Sequence, residues 1–145
     1  MHIELATSTD ISEISEVLRT LDTSNYRFSA PEVIANSISA RMCWIARVAG
    51  QTTGTLIAHE VEGSFEIIAL AVAPDYQRKG IGRQLLRAAE IAASERKFPK
   101  IWCWSLAQYS SQDFYKSCGF TEAVLLKRQF YGEDCWFFGK IIVGV

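Results

Sequence analysis

Between Ser64 and Ala93 the hydrophobic pattern changes period once, and abruptly. "SFEIIALAVA" is almost continuously apolar, β-branched or small, which suits a central strand covered on both faces. Pro74 ends it. From Ile81 onward Leu85, Ala88, Ala89 and Ala92 recur on one face of a long helix, while Arg83, Arg87 and Glu90 fall on the other. The junction reads "PDYQRKGIG", with two glycines about one isoleucine just after two cations. A strand that passes through a short glycine loop into an amphipathic helix commits the chain to a layered sheet-and-helix architecture. It also sets the positive end of a helix, with its unpaired N–H groups, beside Arg78 and Lys79, an arrangement that holds anions. Glycine at 80 and 82 removes side chains that would keep a pyrophosphate from the backbone.

The rest of the chain supplies the other layers. "HIELAT" alternates as a strand does, and Ile11, Ile14, Leu18 and Leu21 then recur at helical spacing, with Asp10 and Glu13 as a start signal. A shorter helix follows Pro31, where Ser29 and Glu32 have the spacing of a capping box. "MCWIARV" and "TTGTLIAHEV" are strands joined by the hairpin signal "AGQ". "KIWCWSL" is a buried strand, and "SSQDFYKSCG" a short helix with Ser110 as cap and Gly119 at its end. "AVLLKRQFYG" and "CWFFGKIIV" close the chain as an antiparallel pair. The expected order is β-α-α-β-β-β-α-β-α-β-β, a mixed sheet of α+β class (α/β in looser usage) in a single domain, 1–145.

Composition narrows the function. Sixteen acidic against fifteen basic residues leave a net charge of -1, which argues against nucleic acid as a partner. Arg78, Lys79, Arg83 and Arg87 make a cationic spot, not a cationic face. Four cysteines form no C-x-x-C pair and only two histidines are present, so no metal-ligand spacing exists. Cys43, Cys103 and Cys135 lie in apolar runs, where a thiol behaves as a small hydrophobe. "MHIELATSTD" has no signal-peptide pattern, and no apolar run approaches the ~20 residues that span a bilayer. A cytoplasmic protein without membrane association is the expectation.

Two nucleotide loops fail against the text. Nothing follows the G-x-x-x-x-G-K-[ST] of a P-loop, and Leu85 stands where a dinucleotide fingerprint needs its third glycine. "LAVAPDYQRKGIGRQLL" instead resembles the acetyl-CoA loop of the GNAT superfamily of N-acetyltransferases, whose Gln/Arg-x-x-Gly-x-Gly/Ala pattern is filled by Gln77, Gly80 and Gly82. "FYKSCGF", residues 114–120, is similar to the superfamily's Phe/Leu-Tyr-x-x-x-Gly-Phe segment, in the same order and spacing. The resemblance extends in element order over the whole chain. It implies a mostly antiparallel central sheet flanked by about four helices, and transfer of an acetyl group from acetyl-CoA to an amine.

The resemblance also assigns roles. Backbone groups of Leu70, Ala71 and Val72 would pair with the pantetheine arm, and those of Arg78, Lys79, Gly80, Ile81, Gly82 and Arg83 would hold the pyrophosphate. Tyr115 falls where the family places the general acid for the departing thiolate; the alternative is a Tyr packed on a short helix with its hydroxyl satisfied. Glu66 lies where some members carry a general base, others using ordered water. Gln108 replaces a frequent cofactor-contacting Asn, and Ser111 a frequent Ala, both departures from the pattern. Tyr26, Phe28, Phe130, Tyr131 and Trp136 lie in segments that commonly wall the acceptor pocket, core packing being the competing reading. No metal is implied. The acceptor, a small-molecule or peptide amine, stays open, as does assembly, for which the last two strands offer a homodimer edge. A cofactor-binding module without turnover and a transferase of longer acyl groups are the rival readings.

Overall fold

The computed structural model describes residues 1–142. Seven strands form one sheet in the order β1-β2-β3-β4-β5-β7-β6, and the described residues include four α-helices. The strands are β1 (His2–Leu5), β2 (Cys43–Val48), β3 (Gln51–Val61), β4 (Ser64–Val72), β5 (Lys100–Leu106), β6 (Glu122–Phe130) and β7 (Glu133–Ile141). The helices are α1 (Ile11–Leu18), α2 (Pro31–Ser39), α3 (Ile81–Glu95) and α4 (Gln112–Ser117). This is the mixed α+β, mostly antiparallel architecture read from the sequence, in the expected element order. Three strand connections are two-residue turns, Ala49-Gly50, Glu62-Gly63 and Tyr131-Gly132. Both residues of each have positive φ, the geometry that matches the twist of paired strands.

By their contacts the residues fall into two compact units. The first comprises Met1–His59 and Ile67–Ala92. Its core gathers Ile14 and Leu18 of α1, Ile34 of α2, Ile45 of β2, Ile57 of β3, and Ala69 and Ala71 of β4. β1, β2 and β3 pair antiparallel, with a bulge on β3 opposite Ala46–Arg47. Ser37 fastens α2 to this sheet: its buried hydroxyl accepts the Ala58 N–H at 3.0 Å and lies 2.6 Å from the Met42 carbonyl oxygen. Arg47 ties the other end, reaching Glu4 at 2.9 Å, Asp10 at 2.6 Å and the Thr52 hydroxyl at 3.0 Å. The pairing with Arg47 holds the Glu4 carboxyl below its ordinary range.

The second unit comprises Glu60–Glu66 and, among the described residues, 93–142. β7 lies between β5 and β6, antiparallel to both. One face carries Trp102, Trp104 and Phe137 in mutual contact, with centroids 5.5 to 5.7 Å apart. Lys100 of β5 and Glu122 of β6 form an ion pair that passes over β7 at Gly139. The four cysteines are free thiols.

Three local expectations are corrected. α2 is capped by Ala30, not Ser29, because Ser29 gives both its hydroxyl and its N–H to Asp22. The residue before α4 is Ser111; Ser110 lies one position earlier at φ 51°, outside the helix. β4 alternates between buried and half-buried residues, whereas β3 is buried continuously from Thr53 to Ala58. The strand covered on both faces is therefore β3. Its threonines hid this in the sequence, yet the Thr53 and Thr55 hydroxyls donate to the carbonyls of Ala46 and Trp44 and are satisfied while fully buried.

Candidate functional site

In the first unit β4 ends at Val72 and the chain enters the loop through a 3-10 turn, Pro74–Tyr76. The loop is pinned at each step. Ala73 N–H donates to the Thr53 carbonyl at 2.8 Å, and the Tyr76 hydroxyl to Gln51 at 3.0 Å. The Gln77 side-chain amide donates back to the Val72 carbonyl at 2.9 Å, so this residue fixes the loop to the strand end. The Lys79 ammonium lies 5.7 Å from the centre of the Tyr76 ring. Arg78 and Gly80 both take left-handed backbone, at φ 64° and 83°. For Gly80 this conformation is itself the reason for glycine, since a Cβ there would meet no atom within 4 Å.

The first i→i−4 bond of α3 runs from Gln84 N–H to the Gly80 carbonyl, 3.1 Å. Ile81 and Gly82 precede it, at the positions where a helix offers no acceptor for its own N–H groups. Gln77, Arg78, Lys79 and Gly80 are exposed, while the Ile81 side chain turns into the core. The loop thus presents backbone amides, two cations and open space at the positive end of a 15-residue helix. That combination fits a pyrophosphate. Leu70, Ala71 and Val72 sit at the C-terminal end of β4 directly before it, with Ala71 buried and its neighbours half-buried.

The second unit holds the other predicted residues. Glu66 is half-buried on β4. Tyr115 on α4 is 7% exposed, with its ring stacked on Phe138 at 4.8 Å and edge-on to Phe120 at 5.2 Å. Its hydroxyl hydrogen-bonds the Cys103 thiol. Burial raises the phenol well above its usual range, with Cys103 and Cys118 adding to the effect. Burial above all, with a smaller push from the Glu66 carboxylate, raises the Cys103 thiol to about 12. Cys103 therefore bonds the Tyr115 hydroxyl and feels the Glu66 charge, and sequence reading did not group it with either. As a cysteine in an apolar run it looked like filling, and only strand register brings it opposite Phe138, the ring on which Tyr115 stacks.

Gln108 is exposed in the 3-10 turn Ala107–Tyr109, which follows β5. It lines a cleft of about 330 Å³ with Leu106, Ala107, Gly132, Glu133 and Asp134. Ser111 donates to or accepts from Ser105 through the two hydroxyls. The five aromatic residues grouped by sequence each make a ring contact within their own unit. Tyr26 and Phe28 pair edge-on at 4.7 Å in the first unit, Phe130 and Tyr131 at 4.8 Å in the second, and Trp136 stacks on Phe138.

Several solved proteins share this fold. Ard1 from Thermoplasma volcanium superposes with a TM-score of 0.85 at 18% identity, over 98% of this chain and 97% of that one. The ribosomal-protein-S18-alanine N-acetyltransferase of Escherichia coli does so with a TM-score of 0.81 at 22% identity, over 99% and 95%. The PaiA N-acetyltransferase of Thermoplasma acidophilum, solved in complex with coenzyme A, gives 0.78 at 17%, over 97% and 98%. At these identities the likeness is one of fold. No curated protein matches the sequence. The sequence model described as acetyltransferase (GNAT) domain matches residues 39–122, more than half of the chain and a span that includes both the glycine loop and Tyr115. The protein belongs to the GNAT acetyltransferase family.

Proposed function

We propose that the protein transfers the acetyl group of acetyl-CoA to a primary amine by direct attack in a ternary complex. The observation that carries the reading is the pinned loop before α3, whose exposed amides and cations suit a pyrophosphate at a helix start. The backbone of Leu70–Val72 aligns the pantetheine arm as an added strand would. The amine nitrogen attacks the thioester carbonyl; its C–N bond forms as the C–S bond breaks. An alkyl ammonium is almost wholly protonated near neutrality, so a base must first take a proton. Glu66, directly or through water, fills that role. The departing thiolate takes a proton from Tyr115, whose raised titration keeps the phenol neutral until then; the acylated nitrogen sheds its second proton to water, and a proton from water restores the phenol. The acceptor is a small-molecule or peptide amine.

The enclosure of Tyr115 favours a second reading, a coenzyme A-binding module without turnover, because the hydroxyl is already engaged by Cys103. Thiol release from acetyl-CoA, measured over a panel of amines, separates the two. Release dependent on an amine supports the enzyme, and binding without release supports the module. Acetyl-CoA should raise the melting temperature by mass action, with ATP and NAD far weaker. Equal shifts from all three would reduce the loop to a general anion site.

A further inference from the structure

We propose that Gly54 is a positioning residue for the cofactor loop, its absent side chain being the space into which the start of α3 and the end of β4 settle. The inference rests on the acetyl-CoA reading above. Gly50, Gly63, Gly80, Gly119 and Gly132 have positive φ and serve turns or a helix end. Gly54 lies within β3 and is not among them, so its backbone would accept any residue. Space is what calls for glycine there. A Cβ would stand 3.0 Å from Ile81 Cγ2, 3.1 Å from Leu85 Cδ1 and 3.2 Å from the Ala71 carbonyl oxygen.

None of these neighbours yields easily. Ile81 and Leu85 are 3% and 0% exposed and have no solvent to swing into, and the Ala71 oxygen is backbone. A methyl group at 54 therefore moves α3, β4 or both by a few tenths of an ångström. Those are the two elements between which the loop hangs. The neighbouring residue holds the loop as well: the bulge takes Thr53 out of the β2 register, and its carbonyl takes the Ala73 N–H at 2.8 Å. Thr53 fixes the loop's entry and Gly54 seats its exit at Ile81. The dipeptide is a two-point clamp on the backbone that meets the pyrophosphate and pantetheine.

The test is calorimetric titration of coenzyme A into wild type, Gly54→Ala and Gly139→Ala. Gly139→Ala is a packing control, because its contacts, Glu122, Lys100 and Phe137, all belong to the second unit. Gly54→Ala should weaken binding about 10-fold, as misplacement of binding groups by a fraction of an ångström does. Gly139→Ala should stay within about 2-fold at a similar loss of melting temperature. Adding Leu85→Ala to Gly54→Ala should recover most of the affinity, whereas a purely stabilising role makes the double variant worse than either single one. If Gly54→Ala does not fold, the double variant decides. Recovery of folding and binding supports the clamp, and failure overturns it, since the freed space should suffice. Wild type that does not bind coenzyme A overturns the acetyl-CoA reading and the clamp together. A folded Gly54→Ala that binds as wild type does overturns the clamp alone.

Discussion

In the first unit the groups suited to binding are backbone groups, exposed and held from outside. The loop is fixed by Gln77 on Val72, Tyr76 on Gln51 and Ala73 on Thr53, while residues 77–80 themselves stay exposed. In the second unit the groups suited to chemistry are side chains, held by enclosure. Tyr115 is packed among Phe114, Phe120 and Phe138, and its hydroxyl meets Cys103. Binding a long polyanionic cofactor needs many weak donors in a set geometry, which glycine and a helix start supply in one short stretch. Moving one proton needs a few groups in a shaped low-dielectric setting, which distant segments must assemble.

The largest expected effect breaks the first unit's mode. Gly82→Trp puts a ring where the pyrophosphate approaches the first turn of α3. Coenzyme A binding should be lost in calorimetry while the circular dichroism spectrum and cooperative melting persist. Retained affinity in the folded variant would place the cofactor elsewhere.

Next come single-atom changes in the second unit. Glu66→Gln keeps size but removes the basic carboxylate, so kcat should fall ~10²–10⁴-fold and the acidic limb of the pH–rate profile should shift or vanish. A wild-type rate and profile would return Glu66 to solvent duty, and a small loss with the limb kept would point to a water chain. Tyr115→Phe keeps the stacking on Phe138 and removes only the hydroxyl. It should lower kcat much more than it raises the KM for acetyl-CoA, the pattern of a group acting at the transition state. Wild-type turnover would leave Tyr115 a packing role alone.

Smaller in effect is Gly139→Ala, which sharpens the contrast by testing enclosure directly. A Cβ there would stand 2.5 Å from Glu122 Oε1 and 3.0 Å from both Lys100 Cε and Phe137 Cε1, so the ion pair over β7 must open. A loss of about 1–3 kcal/mol in denaturant unfolding is expected, typical of overpacking. No loss would mean that the pair moves aside freely.

The smallest effect is alkaline. Burial raises Cys103 and Tyr115 in the second unit and Cys43 in the first, each above its unfolded value. Above about pH 8.5 the unfolded thiols lose protons that the folded ones keep. Stability contributed by these groups is complete below that pH and declines as pH rises toward the folded values. Cys103→Ala should flatten the decline seen in urea midpoints between about pH 8.5 and pH 10. An unchanged slope would assign it to other groups.

How far the sequence could be read follows the same division. The loop was legible because Pro74, Gln77, Gly80 and Gly82 impose their geometry locally, within one turn of chain. The strand–loop–helix order and the α1 and α3 faces were legible for the same reason, since each period lies in a single segment. Ser29 was misread because its competing partner, Asp22, lies seven residues away. β3 was passed over as the doubly covered strand because buried threonines look polar until their carbonyl acceptors on β2 are known.

The chain's own text therefore determined the family, the element order and the glycine loop between β4 and α3, all properties of contiguous residues whose backbone preferences need no distant partner. Tertiary structure alone decided that Cys103 meets the Tyr115 hydroxyl, that Gly54 is glycine for space and not for conformation, and that Gly139 passes beneath an ion pair. Each depends on strand register or on a helix resting on a sheet. A side chain's neighbours across a sheet are fixed by pairing between segments tens of residues apart, and packing at close to crystal density makes those neighbours decisive.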